Sequence, residues 1–225
     1  MLKTSHGWHG RQIDYANAFC QAPVREDVYI SVPPGFRIDG VNHKDRGKYC
    51  LKLKMTLYGS RTSPRKWFLT KRDSLIRRGF KLSEIDTCLF INEQRHLLCC
   101  VYCDDCLIFA PDNDTLDTFI LDLKSEFDLT AEETIEDYLG VRVSFDESHN
   151  TITLSQTGLI HKILSTMFPC AREYVKPHYT PAVDPPLGRD EDGSASNVTW
   201  SYRSVIGSLL YLANNTRPDI MFAAH

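Results

Sequence analysis

Two adjacent carboxylates, Asp104 and Asp105, stand inside an apolar run. Leu97-Leu98-Cys99-Cys100-Val101 precede them, with Tyr102-Cys103 between, and Cys106-Leu107-Ile108-Phe109 follow. Short, partly β-branched flanks of this kind predict two buried strands joined by a tight turn, with the acids at its tip. Neighbouring acids repel one another and lose hydration there, so a buried pair calls for a compensating charge. A divalent cation supplies it: Mg²⁺ takes hard oxygen ligands, through one or two carboxylates together with substrate phosphates. Metal-dependent phosphoryl transfer uses two such ions about 4 Å apart, and two adjacent Asp form only one side of that clamp. Asp14 is the candidate for the other side. It ends a short predicted strand, Gln12-Ile13-Asp14, ahead of Tyr15-Ala16-Asn17-Ala18-Phe19. Plainer readings compete on position alone: Asp14 as a helix N-cap, and Asp104-Asp105 as a solvated hairpin turn.

Cysteine offers a rival chemistry. Cys100, Cys103 and Cys106 follow a C-x₂-C-x₂-C spacing that matches part of an iron–sulfur motif, but position 110, where a further ligand belongs, is Ala. A zinc site needs four ligands at finger spacing, and His96 is the only nearby addition. Small apolar core thiols are the simpler reading.

The elements that position these groups follow from pattern. The basic segment 44–81 holds 13 Lys and Arg against 2 acids, and the segment 104–147 holds 14 acids against 2 bases, although the whole chain of 225 residues carries a formal charge of only −3. A basic stretch of this kind either tracks phosphates or solvates a helix face. No leader-like apolar segment opens the chain, no run approaches membrane-spanning length, and the eight cysteines read as reduced, intracellular thiols. Strands are predicted at 12–14, 28–32 and 50–54. A helix is predicted from Ser63-Pro64, with Ser63 as cap, to Gly79, with Trp67, Phe68, Leu75 and Ile76 on its apolar side. An amphipathic helix places Leu116, Phe119, Ile120, Leu123 and Phe127 toward a core. Leu139, Val141, Val143 and Phe145 alternate as the first strand of a second hairpin, with Ile152 and Leu154 on its partner. Helices follow around Ile160–Met167 and over about 202–213. The Pro- and Gly-bearing stretch 177–196 reads as a linker.

These residues, in this order, resemble a known family. Asp14-Tyr15-Ala16-Asn17-Ala18-Phe19, Val28-Tyr29 and Pro33-Pro34-Gly35-Phe36 are similar to the reverse transcriptase of copia-type LTR retrotransposons. So are Leu57-Tyr58-Gly59, Ser63-Pro64-Arg65-Lys66-Trp67, Asp86-Thr87-Cys88-Leu89-Phe90, Tyr102-Cys103-Asp104-Asp105 and Tyr138-Leu139-Gly140. Leu154-Ser155-Gln156, the run 202–212 and Thr216-Arg217-Pro218-Asp219-Ile220 complete a match over nearly the whole chain.

The resemblance implies an α+β fold: a right-hand polymerase palm of antiparallel strands and helices, with incomplete fingers and a partial thumb and connection tail. It divides the chain into partial fingers and palm (1–145), a thumb-like hairpin and helix (146–176), a linker (177–200) and the start of a connection region (201–225). It implies RNA-directed DNA polymerase activity, with two Mg²⁺ ions (or Mn²⁺) held by Asp14, Asp104 and Asp105. Phe19 takes the place of the aromatic under the deoxyribose that excludes a ribonucleotide, and Tyr58 with Gly59 lies against the incoming nucleotide. Tyr102, Cys103, Tyr138, Leu139 and Gly140 fall where the primer is gripped, and Arg65 and Lys66 near the template path. The implied partners are an RNA or DNA template with its primer, deoxynucleoside triphosphates and the rest of a polyprotein, in the cytoplasm within a virus-like particle and without membrane. Cys103 replaces the usual aliphatic residue. The family's longer basic fingers segment precedes the position of Asp14, and its ribonuclease H region follows near His225. The expectation is a domain truncated at both ends, with weak or no activity in isolation; a remnant that only binds nucleic acid or a partner chain is the alternative.

Overall fold

The computed structural model describes residues 2–168, 180, 193 and 199–225. The predicted linker 177–196 lies almost wholly outside the described residues. The chain divides into two compact units, Met1–Ile135 and Glu136–His225.

In the first unit a short helix α1 (Leu2–His6) leads into strand β1 (His9–Tyr15), followed by a two-stranded ribbon of β2 (Tyr29–Ser31) and β3 (Cys50–Lys52). Helix α2 (Ser63–Arg77) comes next, then strands β4 (Lys81–Leu82), β5 (Leu89–Asn92), β6 (Leu97–Tyr102) and β7 (Asp105–Ala110). Helix α3 (Asn113–Lys124) and strand β8 (Leu129–Glu132) complete the unit. The main sheet has the order β4-β5-β6-β7-β1-β8, antiparallel throughout. This is a mixed α+β fold built on an antiparallel sheet, as expected.

Alternation along the strands sorts the side chains. Leu97, Cys99 and Val101 of β6, Cys106, Ile108 and Ala110 of β7, and Ile13 and Tyr15 of β1 are buried, and Asp14 between the last two is exposed. Trp67 and Leu75 of α2, and Leu116, Phe119, Ile120 and Leu123 of α3, join the same core. Each Leu, Ile, Val or Phe among them contributes about 1.5–3 kcal/mol on full burial. Tyr15, Trp67 and Phe127 meet edge to face with ring centroids 5.1–5.6 Å apart, the arrangement aromatic quadrupoles favour.

Helix α2 departs from expectation at its start and keeps it at its end. Ser63 is not the cap but the first helical residue. It is fully buried, and its hydroxyl donates to the Leu57 carbonyl at 2.7 Å. Gly79, at φ 86°, ends the helix: its own N–H bonds the Ile76 carbonyl at 2.9 Å and that of Phe80 bonds Leu75 at 3.1 Å, the paired closure that a left-handed residue permits. Ile76, predicted to face the core, is exposed, and the buried face of α2 instead includes Lys71 and Ser74.

The second unit holds a three-stranded sheet of order β11-β10-β9, from β9 (Asp137–Tyr138), β10 (Val141–Asp146) and β11 (Thr151–Ser155). Helices α4 (Thr157–Met167) and α5 (Tyr202–Asn215) pack through Ile163, Val205 and Leu212, and a short helix α6 (Met221–Ala224) follows. Leu154 and Leu164 are exposed. Leu139 is not the first residue of a strand, as its alternation suggested, but part of the turn between β9 and β10.

Candidate active site

Strand register brings two of the three singled-out carboxylates together. Asp14 on β1 is the direct antiparallel partner of Asp105 on β7. Directly opposed residues share a face of the sheet, so these side chains leave it on the side away from the core. Asp104 sits with Cys103 at the two-residue tip of the β6–β7 hairpin, closed by the pairing of Tyr102 with Asp105. Tyr102 and Cys103 are exposed there. The tip is tied to β1 by the Tyr15 N–H, which donates to the Asp104 carbonyl at 3.2 Å.

The tip is strained and clamped. Cys103 has φ 45°, a left-handed conformation that costs a non-glycine residue about 1–2 kcal/mol. Its carbonyl accepts the Trp67 indole N–H at 2.9 Å and a second hydrogen bond from the Lys71 ammonium, both from α2. The sequence places Trp67 on the apolar side of a helix and in a family motif, and Lys71 only among the bases of the segment 44–81. The signal of its burial was its i+4 spacing from Trp67, which puts a charge on the buried face.

One carboxylate oxygen of Asp104, Oδ2, accepts the Tyr58 hydroxyl at 3.1 Å; the other, Oδ1, is buried and has no hydrogen-bond partner among the described residues. Burial, followed by the charges of Asp14 and Asp104, raises the Asp105 carboxyl above its ordinary range. The Tyr58 hydroxyl is raised by desolvation and by the Asp104 charge it faces. A stranded carboxylate oxygen and a cluster of mutually repelling acids are what a site for a hard cation presents. Among the described residues no three His, Cys, Asp or Glu side chains are drawn together closely enough to hold an ion by themselves. Cys100, Cys103 and Cys106 form no alternative cage: the strand pleat sends Cys106 into the core and Cys100 to the other face.

Phe19 and Tyr58 meet across the same region, ring centroids 4.6 Å apart and tilted by 37°. Phe19 lies on a short 3₁₀ turn, Ala18–Gln21, entered through Asn17 at φ 49°, and its carbonyl accepts the Thr56 hydroxyl. Gly59, at φ 87°, lets the chain turn directly after Tyr58.

Most bases of α2, and Arg78 just after it, are engaged by acids. Lys66 pairs with Glu26, Arg72 with Asp73, Arg77 with Glu126, and Arg78 with both Asp122 and Glu126. Arg65 is exposed and has no acid partner among the described residues.

In the second unit, Leu139 and Gly140 form a two-residue turn with φ 50° and 73°. Two successive left-handed residues favour Asn-Gly over Leu-Gly. The Leu139 carbonyl accepts the Tyr211 hydroxyl, and the Gly140 carbonyl accepts the side-chain N–H of buried Gln156 at 3.3 Å. The Thr216 hydroxyl donates to the remaining Gln156 oxygen at 3.0 Å. Tyr138 precedes the turn on β9.

A family model described as reverse transcriptase (RNA-dependent DNA polymerase) matches residues 1–182. The retrovirus-related Pol polyprotein from transposon RE1 of Arabidopsis thaliana is 35% identical over 226 residues, covering 100% of this chain and 15% of the relative. The corresponding polyprotein from transposon RE2 of the same plant is 32% identical, with the same coverage. That from transposon TNT 1-94 of Nicotiana tabacum is 28% identical, covering 94% of this chain and 16% of its own length. The chain thus spans about 15% of the length of these relatives. It belongs to the reverse transcriptase (RNA-dependent DNA polymerase) family, in the branch carried by copia-type LTR-retrotransposon Pol polyproteins.

Proposed function

We propose that this chain carries the nucleotidyl-transfer centre of an RNA-directed DNA polymerase, with Asp14, Asp104 and Asp105 as the ligands of two divalent ions. The observation that carries this reading is the register of Asp14 against Asp105, beside a buried Asp104 oxygen that has no partner among the described residues. Two protein carboxylates facing each other across a strand pair, with a third at the adjoining tip, leave the remaining ligand positions to phosphate and water oxygens. Bound Mg²⁺ or Mn²⁺ would ease loss of the proton from a primer 3′-hydroxyl and offset charge on the departing pyrophosphate. The new bond joins that oxygen to the α-phosphorus of a deoxynucleoside triphosphate, and the bond to the β-phosphate oxygen breaks.

The chain's own residues position these groups. The Phe19 ring forms the floor under the deoxyribose and leaves no room for a 2′-hydroxyl. Tyr58 and Gly59 border the nucleotide; the Tyr58 hydroxyl that donates to Asp104 Oδ2 leaves that oxygen a second lone pair for an ion. Tyr102 and Cys103 on the exposed hairpin tip, and the Tyr138-Leu139-Gly140 turn, contact the primer strand, and Arg65 and Lys66 border the template. The partners are a primed RNA or DNA template and the rest of a Pol polyprotein. No described helix is long and apolar enough to cross a membrane.

Mn²⁺ titration followed by electron paramagnetic resonance tests the ligand assignment. Asp14→Asn and Asp105→Asn are each expected to weaken Mn²⁺ binding by at least about tenfold, in the presence of primed template and nucleotide. Undiminished binding in both variants would remove the assignment. A second reading, a chain that only binds nucleic acid, draws on the basic segment 44–81. Salt-dependent binding with no Mg²⁺-dependent incorporation would favour it.

A further inference from the structure

We propose that Lys71 is a positioning residue for the carboxylate-bearing turn: with Trp67 it fixes the Cys103 carbonyl, and through it the placement of Asp104 and Asp105. This rests on the reading of those carboxylates as ion ligands.

Lys71 is only 2% exposed, in the middle of α2 between Trp67 and Leu75. No carboxylate among the described residues lies within ion-pair distance of its ammonium group, and burial pushes its pKa down. An ammonium taken out of water loses several kcal/mol of hydration, and an apolar side chain of similar volume is commonly neutral or better for stability at such a place. What Lys71 gains in return is confined to one neighbourhood. It donates to the Cys103 carbonyl and stands 5.0 Å from the ring centroids of both Tyr15 and Trp67. Ring faces attract a cation, but two of the three contacts are with residues adjacent in sequence to proposed ligands. Cys103 immediately precedes Asp104, and Tyr15 immediately follows Asp14 and donates its N–H to the Asp104 carbonyl.

The geometry explains why a carbonyl clamp is needed there. Cys103 holds a left-handed φ of 45° without being glycine, so the Cys103–Asp104 peptide would relax by rotating if it were free. A carbonyl oxygen has two acceptor positions. Trp67 Nε1 at 2.9 Å and Lys71 Nζ occupy them together. The rotation that would release strain therefore breaks two hydrogen bonds, one of them charge-assisted. Asp104 is the residue carried by that peptide.

A purely electrostatic role predicts the opposite sign. A cation near Asp104 and Asp105 repels a divalent ion, so removing it would tighten ion binding. Removing a positioning group would loosen it. Lys71→Met in the full chain separates the two, because it removes charge and donor while filling the space. We expect an unchanged or raised Tm, at least about tenfold faster hydrogen exchange at the Tyr15 amide and across residues 102–105, and at least about tenfold weaker Mn²⁺ binding. Trp67→Phe removes the other donor and is expected to speed exchange over the same residues. Unchanged exchange in Lys71→Met, or Mn²⁺ binding as tight as or tighter than in the parent chain, would overturn the proposal. So would a fall in Tm large enough to account for the faster exchange, which leaves Lys71 a purely structural residue. If the parent chain itself binds no Mn²⁺, the ion-ligand reading fails, while the exchange comparison still decides whether Lys71 holds the turn.

Discussion

At the hairpin tip, the acids sit where charge is least welcome. Burial, and then Asp14 and Asp104, raise the Asp105 carboxyl. An acid whose folded-state pKa exceeds its unfolded value binds its proton more tightly when folded. The contribution of this group to stability is therefore most favourable below the unfolded value, about 3.9 for Asp, and declines as pH rises through the folded one. Asp105→Asn removes that decline. Thermal melts should show the variant more stable than the parent by a margin that opens above about pH 4 and then levels. A margin that shrinks as pH rises would contradict the assignment of strain to this group. Asp14, Asp104 and Asp105 stand out as candidates in the sequence because their apolar flanks, strand position and family motif coincide. Lys71 does not, because charge argues for a surface place and only the pairing of Cys103 with α2 reveals the burial. The Tyr58 hydrogen bond to Asp104 was equally hidden, since 46 residues separate them.

Among the elements, periodic segments were read well and irregular ones poorly. The helical spacing of Leu116, Phe119, Ile120 and Leu123 predicts a core face, and all four are buried. Gly79 marks the end of α2 because only a left-handed residue closes the helix there. Strand β8, Leu129–Glu132, is too short for its alternation to stand out, yet it flanks β1 on the side opposite β7. Alternation through Leu139 hid a turn, because nothing in a leucine announces a positive φ. That turn is held from outside, by Tyr211 on α5 and by Gln156 at the start of α4. If it grips the primer, Tyr211→Phe should weaken binding of primed template by about fivefold, the worth of one hydrogen bond of about 1 kcal/mol. Binding of unprimed template should be unaffected. Fluorescence anisotropy with the two nucleic acids makes the comparison, and equal effects on both would separate Tyr211 from the primer.

Across the whole molecule, the charge polarity of the sequence is partly cancelled by folding. Asp122 and Glu126 from the acidic stretch neutralise Arg77 and Arg78 from the basic one. Hydrogen bonds from Arg78 and Ser74, with the charge of Arg77, outweigh burial and hold the Glu126 carboxyl below its ordinary range. Few bases of α2 are left for phosphates, and each phosphate contact adds about 0.7–0.9 to the slope of log affinity against log salt. Arg65→Ala should reduce that slope by about one. An unchanged slope would take Arg65 off the template path. The central claim concerns the carboxylates, and single-turnover incorporation of one deoxynucleotide onto a primed template tests it most directly. Incorporation by the parent chain should require Mg²⁺ or Mn²⁺ and fall at least about 100-fold in Asp104→Asn. Incorporation that persists without a divalent ion, or that Asp104→Asn leaves unchanged, would contradict the account.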